Sequence, residues 1–313
     1  VIALAVAGNM VARRIPRVDA GEPGLKVDWN IARQSWRIWQ LTRRRPAVRN
    51  AVLGVSWFWF FGTVLTSQLP AYAEINLGGR QELYLFALAL FSIGTGTGSL
   101  LCEKLSARTV EIGLVPLGAF GVSAFMLDLY FARPGQALLA GLSIGQFVGA
   151  PGSWRIMLDL TGIGVFTGFF VVPLFALIQS RTPKSEMSRV FAALNIQNSG
   201  FIVLAAVLGL LSQRLLGWTI PQVFLALAVA NVLVAIYIFS IVPEFLMRFL
   251  SWVMVRSLYR LRVKGVEANV PDEGAALIVC NHVSYMDALI LSAVIPRPAR
   301  FVMYYRIFNI PVM

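Results

Sequence analysis

Six apolar runs, at about residues 48 to 69, 82 to 102, 110 to 131, 156 to 179, 190 to 212 and 220 to 241, limit what this chain can fold into. Each holds the roughly 20 residues a helix needs to cross the hydrocarbon core of a bilayer. In that medium only helices and closed barrels satisfy their own backbone hydrogen bonds. The predicted class is therefore a mainly α, polytopic membrane protein. Composition agrees, since 58% of the 313 residues are hydrophobic and 13% charged, against about 45–50% and about 25% in soluble chains. A shorter, glycine-rich apolar stretch at 137 to 150 is expected to re-enter the membrane or lie at its interface.

The net charge of +12 would suit a nucleic-acid partner, but the basic residues fall in short clusters between the apolar runs, as topology-setting loops do. No nucleic acid is expected as a partner. Residues 1 to 12 read as the end of a preceding membrane helix and 13 to 47 as a basic central loop, with ten Lys or Arg against three acids from Arg13 to Arg49. By the positive-inside rule that loop is cytoplasmic, and six crossings return the chain to the same side. Within it, tryptophans 29, 36 and 39 predict a short helix on the membrane surface. With neither a Met nor a signal peptide at its start, and an end inside a domain-like run, the chain reads as a fragment cut at both ends.

After the last crossing, 243 to 262 reads as an amphipathic helix whose arginines 248, 256 and 260 share one arc, suited to anionic headgroups. From 263 the texture becomes that of a soluble α/β domain, with turn residues Pro271, Asp272 and Gly274 and a short buried strand predicted at Ala275 to Cys280. Two cysteines, Cys102 and Cys280, and one histidine are too few for a structural zinc, so neither a metal nor a bound cofactor is expected.

A long basic loop followed by six crossings, together with GTGTGSLLCEKLSARTVEIGLVPLG at 94 to 118, resembles the second half of a major facilitator superfamily transporter, and within it the lysophospholipid transporter branch. The resemblance covers about residues 1 to 242. Gly94, Gly96 and Gly98 are expected to let a neighbouring helix approach closely rather than to cradle phosphate. Glu103, Lys104, Arg108 and Glu111 read either as a charged latch or as a solvated loop. Arg155 and Asp159, four residues apart on one helix face, are either a clamp for a zwitterionic headgroup or an interfacial ion pair.

The chain's only histidine, His282, stands five residues before Asp287 in CNHVSYMDALIL. A histidine can accept a proton near neutral pH, and a carboxylate on its other ring nitrogen fixes the tautomer. That spacing brings the two side chains together only across a strand-to-helix turn. Ser284 and Asp287 also fit an S-x-x-D capping box, which would explain the aspartate without catalysis. NHVSYMDALIL followed by RPARFVMYYRIFNIPVM resembles the first block of the glycerophospholipid acyltransferases of the lysophosphatidic acid acyltransferase type, over residues 263 to 313.

The resemblance implies His282 as general base and Asp287 as its orienting partner, with Asn281 and Ser284 inside the motif. Arg300 and Arg306 either face phosphate or an acyl carrier, or form a solvated basic surface. The family's downstream F-P-E-G-type block does not occur before Met313.

Together the two resemblances imply a bifunctional protein of a bacterial inner membrane. It would move a lysophospholipid, such as lysophosphatidylethanolamine, to the inner leaflet and reacylate it there from an acyl carrier protein or coenzyme A thioester. Membrane phospholipid and lysophospholipid, and acyl carrier protein, are the implied partners. Two other readings stay open: a transporter of another solute with a degenerate appendage, and an acyltransferase on a non-transporting scaffold.

Overall fold

The computed structural model describes residues 2–14, 30–43, 45–105, 113–132, 141–241, 243–271, 275–284, 286–295, 299–302 and 304. Six helices are long and apolar enough to cross a membrane: α3 (Pro46–Ala71), α4 (Gln81–Leu105), α5 (Leu114–Phe131), α7 (Ser153–Arg181), α8 (Met187–Arg214) and α9 (Ile220–Ile241). Between and around them lie α1 (Ile2–Ala12), α2 (Ile31–Arg43), α6 (Ile144–Gly149), α10 (Pro243–Leu258), α11 (Val266–Asn269) and α12 (Met286–Val294). The expected class, mainly α and polytopic, is what is found.

Local chemistry sets the helix ends. Pro46 opens α3, where its missing N–H costs nothing. Ser143 and Gln146 close a reciprocal capping box on α6, the described part of the predicted re-entrant piece. At the far end of α3, Pro70 precedes a π-helical turn, Tyr72–Asn76, after which Gly78 turns the chain with φ of 66°.

Helix α7 is the hub, packing against α4, α5 and α3, while α5 also packs on α9 and α3 on α8. The α4–α7 contact is a glycine seam. A Cβ on Gly94 or Gly98 would run into the carbonyl oxygens of Thr161 and Val165, and one on Gly164 or Gly168 into the α4 backbone. Where apolar side chains gain nothing by leaving lipid, such backbone approach supplies the packing energy. Gly96 faces open space and takes no part in the seam.

Asparagines tie the helices across the bundle. Asn231 on α9 accepts from Trp57 Nε1 at 2.8 Å and donates to Ala119 O at 2.8 Å and Ser123 Oγ at 3.0 Å. Asn198 on α8 lies 2.9 Å from Ser56 Oγ, and with its amide nitrogen toward Ser56 and Leu194 O its oxygen accepts from Trp59 Nε1 at 3.1 Å. Apolar surroundings make such satisfied pairs costly to break, because the alternative is an unpaired polar group.

At the end holding the basic loops, α2 packs on α8 and α3, with the Trp36 and Trp39 rings 5.0 Å apart. Trp29 lies outside the described residues. Arg45 Nη1 meets Glu186 Oε2 at 2.8 Å and joins the start of α3 to the start of α8. Of the expected latch, Glu103 and Lys104 close α4, while Arg108 and Glu111 lie outside the described residues. Trp252 of α10 packs against the cluster formed by Cys102, Leu114 and Phe169 at this end, and Arg256 stacks over Trp252 at 5.0 Å.

Two expectations need correction here. The helix after α9 stops at Leu258, so Arg260 does not share its face. Its Val255 is fully buried. The stretch 275 to 280 is exposed and forms no strand; Leu277 is 88% exposed. A strand needs a neighbour to take up its N–H and C=O groups, and among the described residues the one β-bridge is the isolated pair Gly79 and Leu142.

Candidate functional site

The sequence around His282 assembles its site locally. The segment carrying Asn281 and His282 leads into α12. Ser284 Oγ accepts from Met286 N at 3.2 Å, and Ser284 O accepts from Asp287 N at 3.0 Å, which starts the first turn. Asp287 then folds back, and its Oδ2 accepts from the backbone N–H of Ser284 at 2.8 Å and of Val283 at 2.7 Å. The same oxygen lies 3.0 Å from His282 Nδ1. The capping and catalytic readings are thus one structure: the carboxylate that caps the helix also holds the imidazole.

The electrostatics follow from this geometry. The N–H groups of Ser284 and Val283, and then His282, hold the Asp287 carboxyl below the usual carboxylate range. An ionised carboxylate only accepts, so the proton between them sits on Nδ1 and the Nε2 lone pair is free. The His282 side chain is 75% exposed, which leaves Nε2 open to a substrate hydroxyl. Because the carboxyl is lowered in the fold, its contribution to the start of α12 is fully present above the ordinary carboxylate pKa and is lost only as pH falls through the lowered folded value.

Capping and chemistry can be separated by substitution. Ser284→Ala removes the bond to Met286 and is expected to cost about 1 kcal/mol of local helix stability. It leaves the His282 and Asp287 contact in place. Hydrogen exchange along α12 should rise while the 3.0 Å contact between His282 and Asp287 persists.

Helix α12 packs on α10, so the same helix that meets the membrane bundle supports the site. Arg300 is exposed, and Arg306 lies outside the described residues.

The second candidate pair is rearranged. Arg155 does not engage Asp159; its Nε donates to Asp128 Oδ2 at 2.8 Å and its Nη2 to Asp128 Oδ1. A bidentate guanidinium–carboxylate fork across two helices is better aligned than a pair one turn apart. Asp159 is left 1% exposed, with neither oxygen hydrogen-bonded. Asp128 was missed by sequence reasoning, although a lone acid near the end of the 110 to 131 run was a usable signal. Asn198 and Asn231 were missed as well, although each lies inside an apolar run.

Comparisons with known proteins fall on both parts of the chain. A family model described as Acyltransferase matches residues 260–313. The lysophospholipid transporter LplT of Citrobacter koseri is 31% identical over 216 residues, covering 63% of this chain and 45% of that protein. LplT of Escherichia coli O157:H7 is 31% identical over 214 residues with the same coverage. The chain thus spans less than half the length of these curated relatives. No solved structure matches. Both resemblances expected from the sequence are found.

Proposed function

We propose, from two resemblances carried by one chain, that the protein moves a lysophospholipid to the inner leaflet and reacylates its free glycerol hydroxyl from an acyl thioester. The observation that carries this reading is the His282–Asp287 dyad, built on a helix that packs against α10 while α10 packs against the bundle end holding the basic loops. By the positive-inside rule that end faces the cytoplasm, where acyl carrier protein and coenzyme A thioesters are found.

The chemistry runs through His282. As the glycerol oxygen attacks the thioester carbonyl, Nε2 takes the hydroxyl proton, and the imidazolium so formed is stabilised by Asp287. The tetrahedral intermediate then expels the thiolate, which recovers that proton from Nε2. The histidine ends neutral and ready for another turnover. The nucleophile belongs to the substrate, so no acyl-enzyme is required. A second acyl chain adds about 0.8 kcal/mol of membrane affinity per buried methylene, and the product is thereby retained in the leaflet where it forms.

Full-length protein in inverted and right-side-out vesicles, supplied with labelled lysophospholipid and acyl thioester, tests both parts. His282→Ala is expected to keep lysophospholipid uptake and lose its conversion to diacyl lipid. Conversion at the wild-type rate in that variant would remove His282 as the base, and failure of uptake in the wild type would remove the transport half.

A further inference from the structure

The side of α2 that a helix resting on a membrane would sink into lipid is taken by the bundle. Gln34, Ser35 and Trp39 are half-buried and Thr42 is 2% exposed, and the helix packs on α8 and α3. Residues three and four apart share a helix face, so Arg33, Trp36, Arg37 and Gln40 form the opposite arc. All four are exposed, Trp36 by 57%. What α2 presents outward is therefore a tryptophan flanked by two arginines, and its sequence, IARQSWRIWQLTR, contains no acid.

The place of this arc narrows what it can meet. Helix α2 ends at Arg43 and α3 opens at Pro46, so α2 lies where the chain enters the membrane. Arg49, Arg181 and Lys184 are also exposed at this end, and Glu186 is already paired with Arg45. The surface is positive. Packing within the fold does not account for Trp36, whose ring neighbour is Trp39 at 5.0 Å and whose remaining surface faces outward. An indole, apolar in body with one N–H, suits the headgroup level of a bilayer, and long arginine side chains reach phosphates from there. An acidic soluble protein would match the arginines, but the arc lies at bilayer entry, where headgroups are already at hand.

We propose that Arg33, Trp36 and Arg37 form a docking surface for anionic phospholipid headgroups of the inner leaflet. The guanidinium groups take the phosphate oxygens, for which their forked donors are matched, while Trp36 settles beside the glycerol. A zwitterionic headgroup brings its own ammonium, which competes for the phosphate and repels the arginines. The surface therefore selects lipids of net negative charge. Nothing in this depends on the solute that the bundle moves or on the dyad.

The experiment uses the full-length protein in bilayers of phosphatidylcholine mixed with phosphatidylglycerol, one or the other brominated on its acyl chains. The emission of Trp36, taken as the difference between the wild type and Trp36→Phe, reports lipid at this arc. Brominated phosphatidylglycerol is expected to quench it in several-fold preference to brominated phosphatidylcholine. In Arg33→Gln with Arg37→Gln that preference should fall, by roughly five-fold for each arginine lost. The corresponding double lysine variant should keep most of it, as should Arg214→Gln at the far end of α8.

An unchanged preference in a double glutamine variant that melts as the wild type does overturns the proposal. High salt on the wild type asks the same question without a substitution: the preference should weaken as the charges are screened, and indifference to salt overturns the proposal too. So does a Trp36 that neither brominated lipid quenches. If an added acidic soluble protein then shields Trp36 in the wild type and not in the double glutamine variant, the arc belongs to a protein partner instead.

Discussion

Replacing His282 by alanine is expected to lower acyl transfer by the full-length protein by about 10²- to 10⁴-fold, the usual contribution of a positioned general base. The imidazole sits on the surface of the turn, 75% exposed, and its removal opens no core, so the protein should melt as the wild type does. Asp287→Asn is the sharper probe. The amide oxygen can still accept from the N–H groups of Val283 and Ser284, which keeps the turn, but an asparagine has no charge to stabilise the imidazolium and its NH₂ can favour the wrong tautomer. Activity should fall as far as in His282→Ala, or nearly so, with α12 intact by hydrogen exchange. If Asp287→Asn retained wild-type rates, the aspartate would be a cap only.

The largest effect on folding is expected at the glycine seam. Gly98→Leu would drive a side chain into the Val165 carbonyl, which belongs to the backbone of a neighbouring helix and cannot rotate away. Overpacking usually costs about 1–3 kcal/mol, and here relief requires separating α4 from the hub helix, so little folded protein should survive extraction. Gly94→Leu meets Thr161 O in the same way. Gly96→Ala is the control: its Cβ enters open space, and alanine is favoured over glycine in a helix by roughly 0.5–1 kcal/mol. Thermal melting and size-exclusion profiles in detergent check all three. Equal melting of Gly98→Leu and Gly96→Ala would mean that the close approach of α4 and α7 does not support the fold.

The long elements were legible because one physical requirement, about 20 apolar residues per crossing, is written in composition and length. The seam was legible for a related reason: glycines in an apolar run favour close approach, and two of the three, Gly94 and Gly98, make it, while Gly96 faces open space. The dyad was legible too, since both partners lie within one turn of chain. What the sequence hid is everything that depends on which helices become neighbours. Arg155 looked like a partner for Asp159 at a spacing of four, yet the better-aligned Asp128 comes from another helix, 27 residues away. The run at 275 to 280 has the residues of a buried strand, but burial depends on a partner strand, and no periodicity reveals whether one is present. The amphipathic pattern of 243 to 262 likewise gives no sign that Trp252 packs against the cluster of Cys102, Leu114 and Phe169.

The closeness in sequence of the parts of the dyad has a consequence for how the site comes into being. All its hydrogen bonds lie between residues 282 and 287, a loop far shorter than any contact of the bundle. Loops of about ten residues close in roughly 10–100 ns, and contacts of short sequence separation form early because little chain entropy opposes them. The turn can therefore arise on the nascent chain before distant segments meet. A substitution elsewhere that slows or misdirects assembly would deprive the dyad of its surroundings but leave it formed, and a misassembled protein would still carry an oriented histidine.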